Sequence, residues 1–135
     1  MNIIDSYDYY INNMKDCIFC KIISDELGSE KVYEDDFVLA FANINPVSPG
    51  HTLVVPKEHC ENILDISTES LAKVIEVSKE LAKKLKADFN ASGINVLHAA
   101  GKDAQQSVFH FHIDLVPRYP DDNLDLWFKA GIEKK

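Results

Sequence analysis

Two histidines separated by one residue, His110 and His112, stand in the run Val108-Phe-His-Phe-His-Ile-Asp-Leu-Val116, where alternate positions change character. In an extended strand alternate side chains share a face, so the two imidazoles would project together, about 6.7 Å apart at roughly 3.3 Å per residue. A neutral imidazole can attack phosphorus when a hydrogen bond to its other nitrogen fixes the tautomer. The plain alternative is a pair of half-buried polar residues on a sheet. A second constellation is Cys17-Ile-Phe-Cys20. Two thiolates at that spacing, joined by two histidines from elsewhere in the chain, would close a tetrahedral zinc site. The same pair alone also reads as a redox dithiol or as two core thiols, although no thioredoxin-like βαβ pattern surrounds it. Cys60, directly after His59, reads as a bystander.

The elements that must hold these residues follow from periodicity. Ile18, Phe19, Ile22 and Ile23 recur at helical spacing between Cys17 and Ser24, so a short helix is expected, with Gly28 just beyond it. Lys31 to Glu34 and Phe37 to Phe41 are β-formers around Asp35-Asp36 and read as a hairpin. The turn-rich Asn45-Pro-Val-Ser-Pro-Gly50 leads into a strand from His51 to Val55, stopped by Pro56. Leu71, Val74, Ile75, Leu81, Ala82, Leu85 and Phe89 form the buried stripe of a long helix that Ser67 or Thr68 would cap and Gly93 would end. A strand from Ile94 to Leu97, a loop from Ala99 to Gln106 and a long strand from Val108 to Val116 complete the chain. Alternation in the last strand assigns Phe109, Phe111, Ile113 and Leu115 to the core face, and Val108, His110, His112, Asp114 and Val116 to the other. Hairpins with one long helix and no repeated βαβ unit predict an α+β fold, an antiparallel sheet covered on one side.

A chain of 135 residues, 46% hydrophobic and 27% charged, has the size and balance of a single soluble domain. Its net charge of −8 opposes association with a nucleic-acid backbone while leaving room for a small nucleotide in a local pocket. No apolar run has the length of a membrane span, the first residues do not form a secretory signal, and three cysteines without such a signal argue against a disulfide scaffold. These features predict a cytoplasmic protein with neither nucleic-acid nor membrane partners. Residues 1–15, with Tyr7, Tyr9 and Tyr10 among polar neighbours, read as an N-terminal extension to a domain spanning 16–135.

The histidine run, with Gln106 and Ser107 before it and Pro117-Arg118 after it, resembles the signature of the histidine triad (HIT) family. Cys17-Ile-Phe-Cys20-Lys-Ile, Val32-Tyr-Glu-Asp-Asp36, Ile44-Asn-Pro-Val-Ser-Pro-Gly-His51 and Val54-Val-Pro-Lys-Glu-His59 stand in the family's order, so the resemblance covers roughly residues 16 to 118 as five linked motifs. It implies a five-stranded antiparallel sheet with one long and one short helix. It also implies a nucleotide-binding hydrolase or nucleotidyltransferase, acting at the α-phosphate of nucleoside phosphoramidates or related esters. The family's nucleophile falls on His112, which would form a nucleotidyl-histidine intermediate; Ser107 falls on a phosphate or leaving-group contact and His51 on a supporting histidine. The purine nucleotide's pocket maps to Ile18, Phe19, Ile22, Phe41 and Ile44, with Asn43 at the ribose and Gln106 also among the substrate-binding positions. In zinc-bearing branches the ligands are Cys17, Cys20, His59 and His110, making zinc a structural cofactor. The family usually forms homodimers whose C-terminal residues, here Trp127 and Phe128, approach the other subunit's site.

Four positions depart from the family pattern. Asp114 stands where hydrolase members carry a third histidine, so a carboxylate would face the phosphate unless it is protonated, paired with Lys57 or Arg118, or bridged by a metal ion. Asn43 replaces an aspartate, Ala99 an asparagine and Gln105 a glycine, while His98 reads as an exposed strand-end residue. Three functions fit these residues: an active nucleotidyl enzyme, a nucleotide-binding protein with weakened turnover, and a zinc-stabilised interaction module.

Overall fold

A computed structural model describes residues 16–132, so the expected N-terminal extension lies outside the described residues. Helix α1 spans Ile18–Ile23, strands β1 and β2 span Lys31–Glu34 and Val38–Ala42, and β3 spans Thr52–Pro56. Helix α2 then runs from Thr68–Asp88, followed by β4 at Gly93–Leu97 and β5 at Ile113–Arg118. The five strands form one antiparallel sheet in the order β1-β2-β3-β5-β4, so the fold is α+β as expected.

Each helix starts where side-chain chemistry satisfies free backbone amides. Ser67 Oγ accepts from the Ser70 amide at the start of α2, and Cys17 Sγ accepts from the Cys20 amide at the start of α1. Helix α2 ends before Gly93. Phe89 is its C-cap and Asn90 takes the left-handed conformation at φ 53°, which leaves Gly93 to open β4.

The sheet is covered on both faces, not on one. Val38 and Ala40 of β2, Val54 of β3, and Ile113 and Leu115 of β5 pack with Val74, Leu81 and Leu85 of α2. The intervening residues Leu39, Phe41, Leu53 and Val55 pack with Phe19 and Ile22 of α1 on the opposite face. Period-two alternation in β2 and β3 therefore separates two apolar layers, and the short helix closes the second.

The strand expected from Val108 to Val116 is shorter at its start. Residues 107–112 follow an irregular path, in which the Phe111 amide donates to Cys60 O at 2.7 Å instead of to a neighbouring strand. The two-faced alternation survives at Phe111, Ile113 and Leu115, which are buried toward α2, but Phe109 is 45% exposed and does not join the core.

Gly50 lies in the turn before β3 with φ +89°, and a β-carbon there would sit 3.0 Å from Pro117 Cγ and 3.1 Å from the Phe89 ring. Both left-handed backbone strain and a clash with two packed rings oppose any side chain. Gly50→Ala is expected to lower unfolding free energy by about 1–3 kcal/mol in urea titration; an unchanged midpoint would contradict the tight packing of this turn.

Candidate active site and metal centre

Strand β5 carries the site because its pairing decides which side chains meet. Leu53 of β3 lies opposite Asp114. His51, two residues before Leu53, therefore stands diagonally across from Asp114 on the face covered by α1. His51 Nε2 lies 2.8 Å from Asp114 Oδ1, and His51 Nδ1 accepts from the Val47 amide at 3.2 Å. The second contact leaves Nδ1 without a proton, so Nε2–H is the donor to the carboxylate and the ring is neutral in this arrangement. Asp114 Oδ2 in turn lies 3.8 Å from His112 Nε2.

The cations considered as partners of Asp114 are engaged elsewhere. Lys57 pairs with Glu34 at 2.9 Å, and Arg118 binds Asp122 at 2.8 Å and Asn95 at 2.8 Å. Asp114 is thus held by a histidine from the neighbouring strand, a contact set by register and not by proximity in sequence.

His112 is only 8% exposed. Its Nδ1 donates to His110 O at 2.8 Å, which fixes the tautomer and leaves the Nε2 lone pair free toward the Asp114 side. Phe19 meets the His112 ring edge-on at 5.3 Å between centroids. A second histidine supports the same backbone. His98 Nδ1 donates to His112 O at 3.0 Å, its Nε2 accepts from the Ile63 amide at 3.0 Å, and its ring stacks on Phe111 at 4.4 Å. His98 is therefore a half-buried brace rather than an exposed strand end, and only tertiary contacts reveal it.

Gln106, expected among the substrate-binding residues, has its side chain engaged within the protein. Its Oε1 accepts from Gly101 N at 2.8 Å and from Asn62 Nδ2 at 3.2 Å, while Nε2 donates to Glu61 O and Val108 O at 2.6 and 3.0 Å. Two donors and two acceptor sites are thereby used, so the side chain pins the 101–106 loop and has no hydrogen-bonding capacity left for a ligand here. Gln105 beside it sits at φ +69°, the left-handed region that a glycine would occupy without strain.

The remaining candidates divide between layers. Phe19, Ile22 and Phe41 are buried in the α1-side core, Ile18 is half exposed, and Ile44 is 92% exposed in the loop before β3. Asn43 closes a turn by accepting from the Asn45 amide at 2.8 Å, and Ser107 is exposed at the end of the pinned loop. Of the expected pocket, the structure gathers Phe19 with His112 and leaves Ile44 away from the packed core. An open groove of about 520 Å³ between β1 and α2, lined in part by Val32, Tyr33, Val77 and Leu81, lies on the other side of the sheet and takes no part in this site.

Behind His112, four donor atoms converge. Cys17 Sγ, Cys20 Sγ, His59 Nδ1 and His110 Nδ1 all lie within 4.8 Å of one another. Cys17 Sγ to His110 Nδ1 is 3.3 Å, Cys20 Sγ to His59 Nδ1 3.3 Å, Cys20 Sγ to His110 Nδ1 3.5 Å, and the two imidazole nitrogens are 3.2 Å apart. A tetrahedral zinc with bonds of about 2.0 Å to nitrogen and about 2.3 Å to sulfur needs ligand atoms roughly 3.3–3.8 Å apart, close to these separations. His110 Nε2 donates to Pro56 O at 2.8 Å, which turns the Nδ1 lone pair into the cluster. The hydrogen bond from Cys20, aided by His110, brings the Cys17 thiol down to about 3 against the opposing effect of burial, and the same contact pushes Cys20 up. Cys60 stands apart from the cluster, its thiol pushed up to about 12 chiefly by burial. The donor set, its spacing and its outer hydrogen bond fit a metal ion.

A HIT domain model matches residues 24–121. A HIT-like protein of Borreliella burgdorferi is 50% identical over 121 residues, covering 87% of this chain and 85% of its own length. The adenosine 5'-monophosphoramidase of Saccharomyces cerevisiae is 42% identical over 102 residues, 76% of this chain and 62% of that enzyme. The crystal structure of a zinc-bound histidine triad family protein from Mycobacterium smegmatis superposes with a TM-score of 0.79 at 34% identity, covering 87% of this chain and 85% of that one. With the fold, the alternating histidines and the four-ligand cluster in place, these matches establish that the chain belongs to the HIT family.

Proposed function

We propose that this protein is a nucleoside phosphoramidase, a nucleotidyl hydrolase in which His112 attacks the α-phosphorus. The observation that carries the reading is the buried His112 ring with its Nδ1–H committed to His110 O, so that in the neutral ring it is Nε2 that carries the lone pair. The phosphoramidase activity of the yeast relative supports the choice of substrate. In the first step Nε2 forms a bond to phosphorus, the phosphorus–nitrogen bond breaks, and the departing amine takes up one proton from the medium. In the second step water forms the new oxygen–phosphorus bond, Nε2 leaves, and one proton returns to the medium. The sum is phosphoramidate plus water giving nucleoside monophosphate plus amine. Nδ1–H stays on His110 O throughout, so positive charge on the nucleotidylated ring is met by that carbonyl dipole.

The apolar face of Phe19 and the exposed Ile18 and Ile44 suit stacking of a purine, Asn43 has its amide N–H groups for ribose, and Ser107 has a hydroxyl for the phosphate. His51 and Asp114 complete the catalytic face, with His51 acting through Asp114.

Zinc bound by Cys17, Cys20, His59 and His110 would act as a structural cross-link, tying α1, the residues after β3 and the segment before β5. Trp127 and Phe128, 64% and 78% exposed and stacked on one another at 5.0 Å, suit burial against a second copy.

Three outcomes are expected. Protein that meets adenosine 5'-phosphoramidate and is quenched with acid should carry a nucleotidyl mass shift on His112, and His112→Ala should lose both adduct and at least about a thousandfold in kcat/KM. An adduct on another residue would remove His112 from the role. Metal analysis of protein purified without chelator should find one zinc per chain, lost when Cys17 and Cys20 are both replaced by serine; zinc retained by that double variant would refute the ligand set. Light scattering at micromolar concentration should give the mass of a dimer, and a monomer mass would refute the assembly.

A further inference from the structure

The contact between Asp114 and His112 bears on which leaving group the site accepts, and this inference rests on the phosphoramidase reading. Three observations meet here. Asp114 Oδ2 is 3.8 Å from His112 Nε2, the atom that would attack phosphorus. Oδ1 is held by the neutral His51, whose Nδ1 is occupied by the Val47 amide, so His51 orients the carboxylate without cancelling its charge. Lys57 and Arg118 are paired with Glu34 and Asp122 and supply no counter-charge.

A carboxylate held within 4 Å of the attacking nitrogen is inside the sphere of the phosphoryl group being transferred. Its effect depends on the sign of the charge that develops around it. An amine leaves phosphorus only as its nitrogen gains a proton, so that end of the substrate becomes positive and the carboxylate attracts it. A nucleotide, pyrophosphate or sugar phosphate leaves with negative charge, and the same carboxylate repels it. The nucleotidylated imidazole is positive as well, so the first step places two growing positive charges about Asp114 when the leaving group is an amine. With an anionic leaving group it places one of each sign.

We propose that Asp114 is a specificity-determining residue that restricts this protein to adenylates of basic amines, such as primary alkylamine phosphoramidates, and excludes nucleotides joined to phosphate-bearing leaving groups. His51 is the positioning residue that keeps the carboxylate turned toward the site.

The test uses Asp114→Asn, whose side-chain oxygen can still accept from His51 Nε2–H, and Asp114→His as a second replacement, each checked for folding by its thermal midpoint. For each variant kcat/KM is measured on an alkylamine phosphoramidate of AMP and on a diadenosine polyphosphate. The wild type should favour the amine substrate, and the ratio of amine to polyphosphate should fall at least about tenfold in Asp114→Asn, with the polyphosphate rate rising. A ratio within about threefold of wild type in both variants would overturn the proposal while leaving the phosphoramidase reading intact. Calorimetry with AMP and its phosphate methyl ester separates the two further, since these differ by about one charge at neutral pH and neither requires turnover. Asp114→Asn should tighten AMP more than the ester. If the wild type turns over neither substrate, the phosphoramidase reading fails, and the calorimetric pair alone decides: selective tightening of AMP upholds charge selection by Asp114, and equal effects on both ligands refute it.

Discussion

His110 is the residue on which the architecture of the site depends, because three of its polar groups are committed to three different tasks. Nδ1 enters the four-ligand cluster, Nε2 donates to Pro56 O at the end of β3, and the backbone carbonyl accepts Nδ1–H of His112. The ring has no exposure to solvent, so none of these groups can exchange its partner for water without opening the α1 side of the sheet. One residue therefore couples the four-ligand cluster, the central sheet and the tautomer of His112. Moving the ring would shift the carbonyl that holds His112 Nδ1, and a nucleophile in the role proposed for His112 would be sensitive to displacements well below an ångström.

How much of this is legible in the sequence depends on whether the information is local. The Ser67 cap of α2, its core positions Leu71, Val74, Leu81 and Leu85, and the strand character of β2 and β3 are properties of neighbouring residues that the sequence reveals, whereas Ile75 and Phe89, expected in the same stripe, are 48% and 44% exposed. The chemistry-bearing residues are legible by type, and resemblance to a family supplies the distant members of the cysteine and histidine cluster. What periodicity cannot read is pairing. The contact of His51 with Asp114 spans 63 positions and exists because β3 and β5 adopt one register. A shift by a single residue would turn either side chain to the α2 face. The same holds for His98, which looks like the exposed end of β4 until its ring is found between Ile63 N and His112 O. Residues 107–112 alternate like a strand yet do not pair as one, since the Phe111 amide is satisfied by Cys60 O and the local pattern records burial without recording the hydrogen-bond partner.

The two faces of the sheet divide the work. On the α2 face, Val38, Ala40, Val54, Ile113 and Leu115 meet Val74, Leu81 and Leu85 in an almost wholly apolar layer, whose substitution would be felt as stability. On the α1 face, apolar residues from the same strands pack beside His51, His110, His112 and Asp114. Polar groups are costly there unless each is satisfied, and among the described residues no buried side-chain nitrogen or oxygen lacks a partner. The short α1 is what makes this possible. Its first turn brings Cys17 and Cys20 to the cluster, and Phe19 between them meets the His112 ring.

On the proposed reading, a phosphate-directed site in a chain of net charge −8 must receive an anion. Lys57 and Arg118 are already bound to carboxylates, so neither brings an unpaired positive charge to the face. Dipoles remain: the backbone amides of the loop pinned by Gln106, the Ser107 hydroxyl and neutral imidazole. Such groups stabilise charge only when they are held in place beforehand, because they cannot swing a full charge toward the ligand. The saturated Gln106 amide immobilises this loop, and Gln105 beside it takes the left-handed conformation. The same requirement bears on Asp114. In a site rich in cations one carboxylate would change little, whereas with Lys57 and Arg118 paired elsewhere Asp114 stands 3.8 Å from His112 Nε2, and under the proposed chemistry its charge would act on the transferred group at that range.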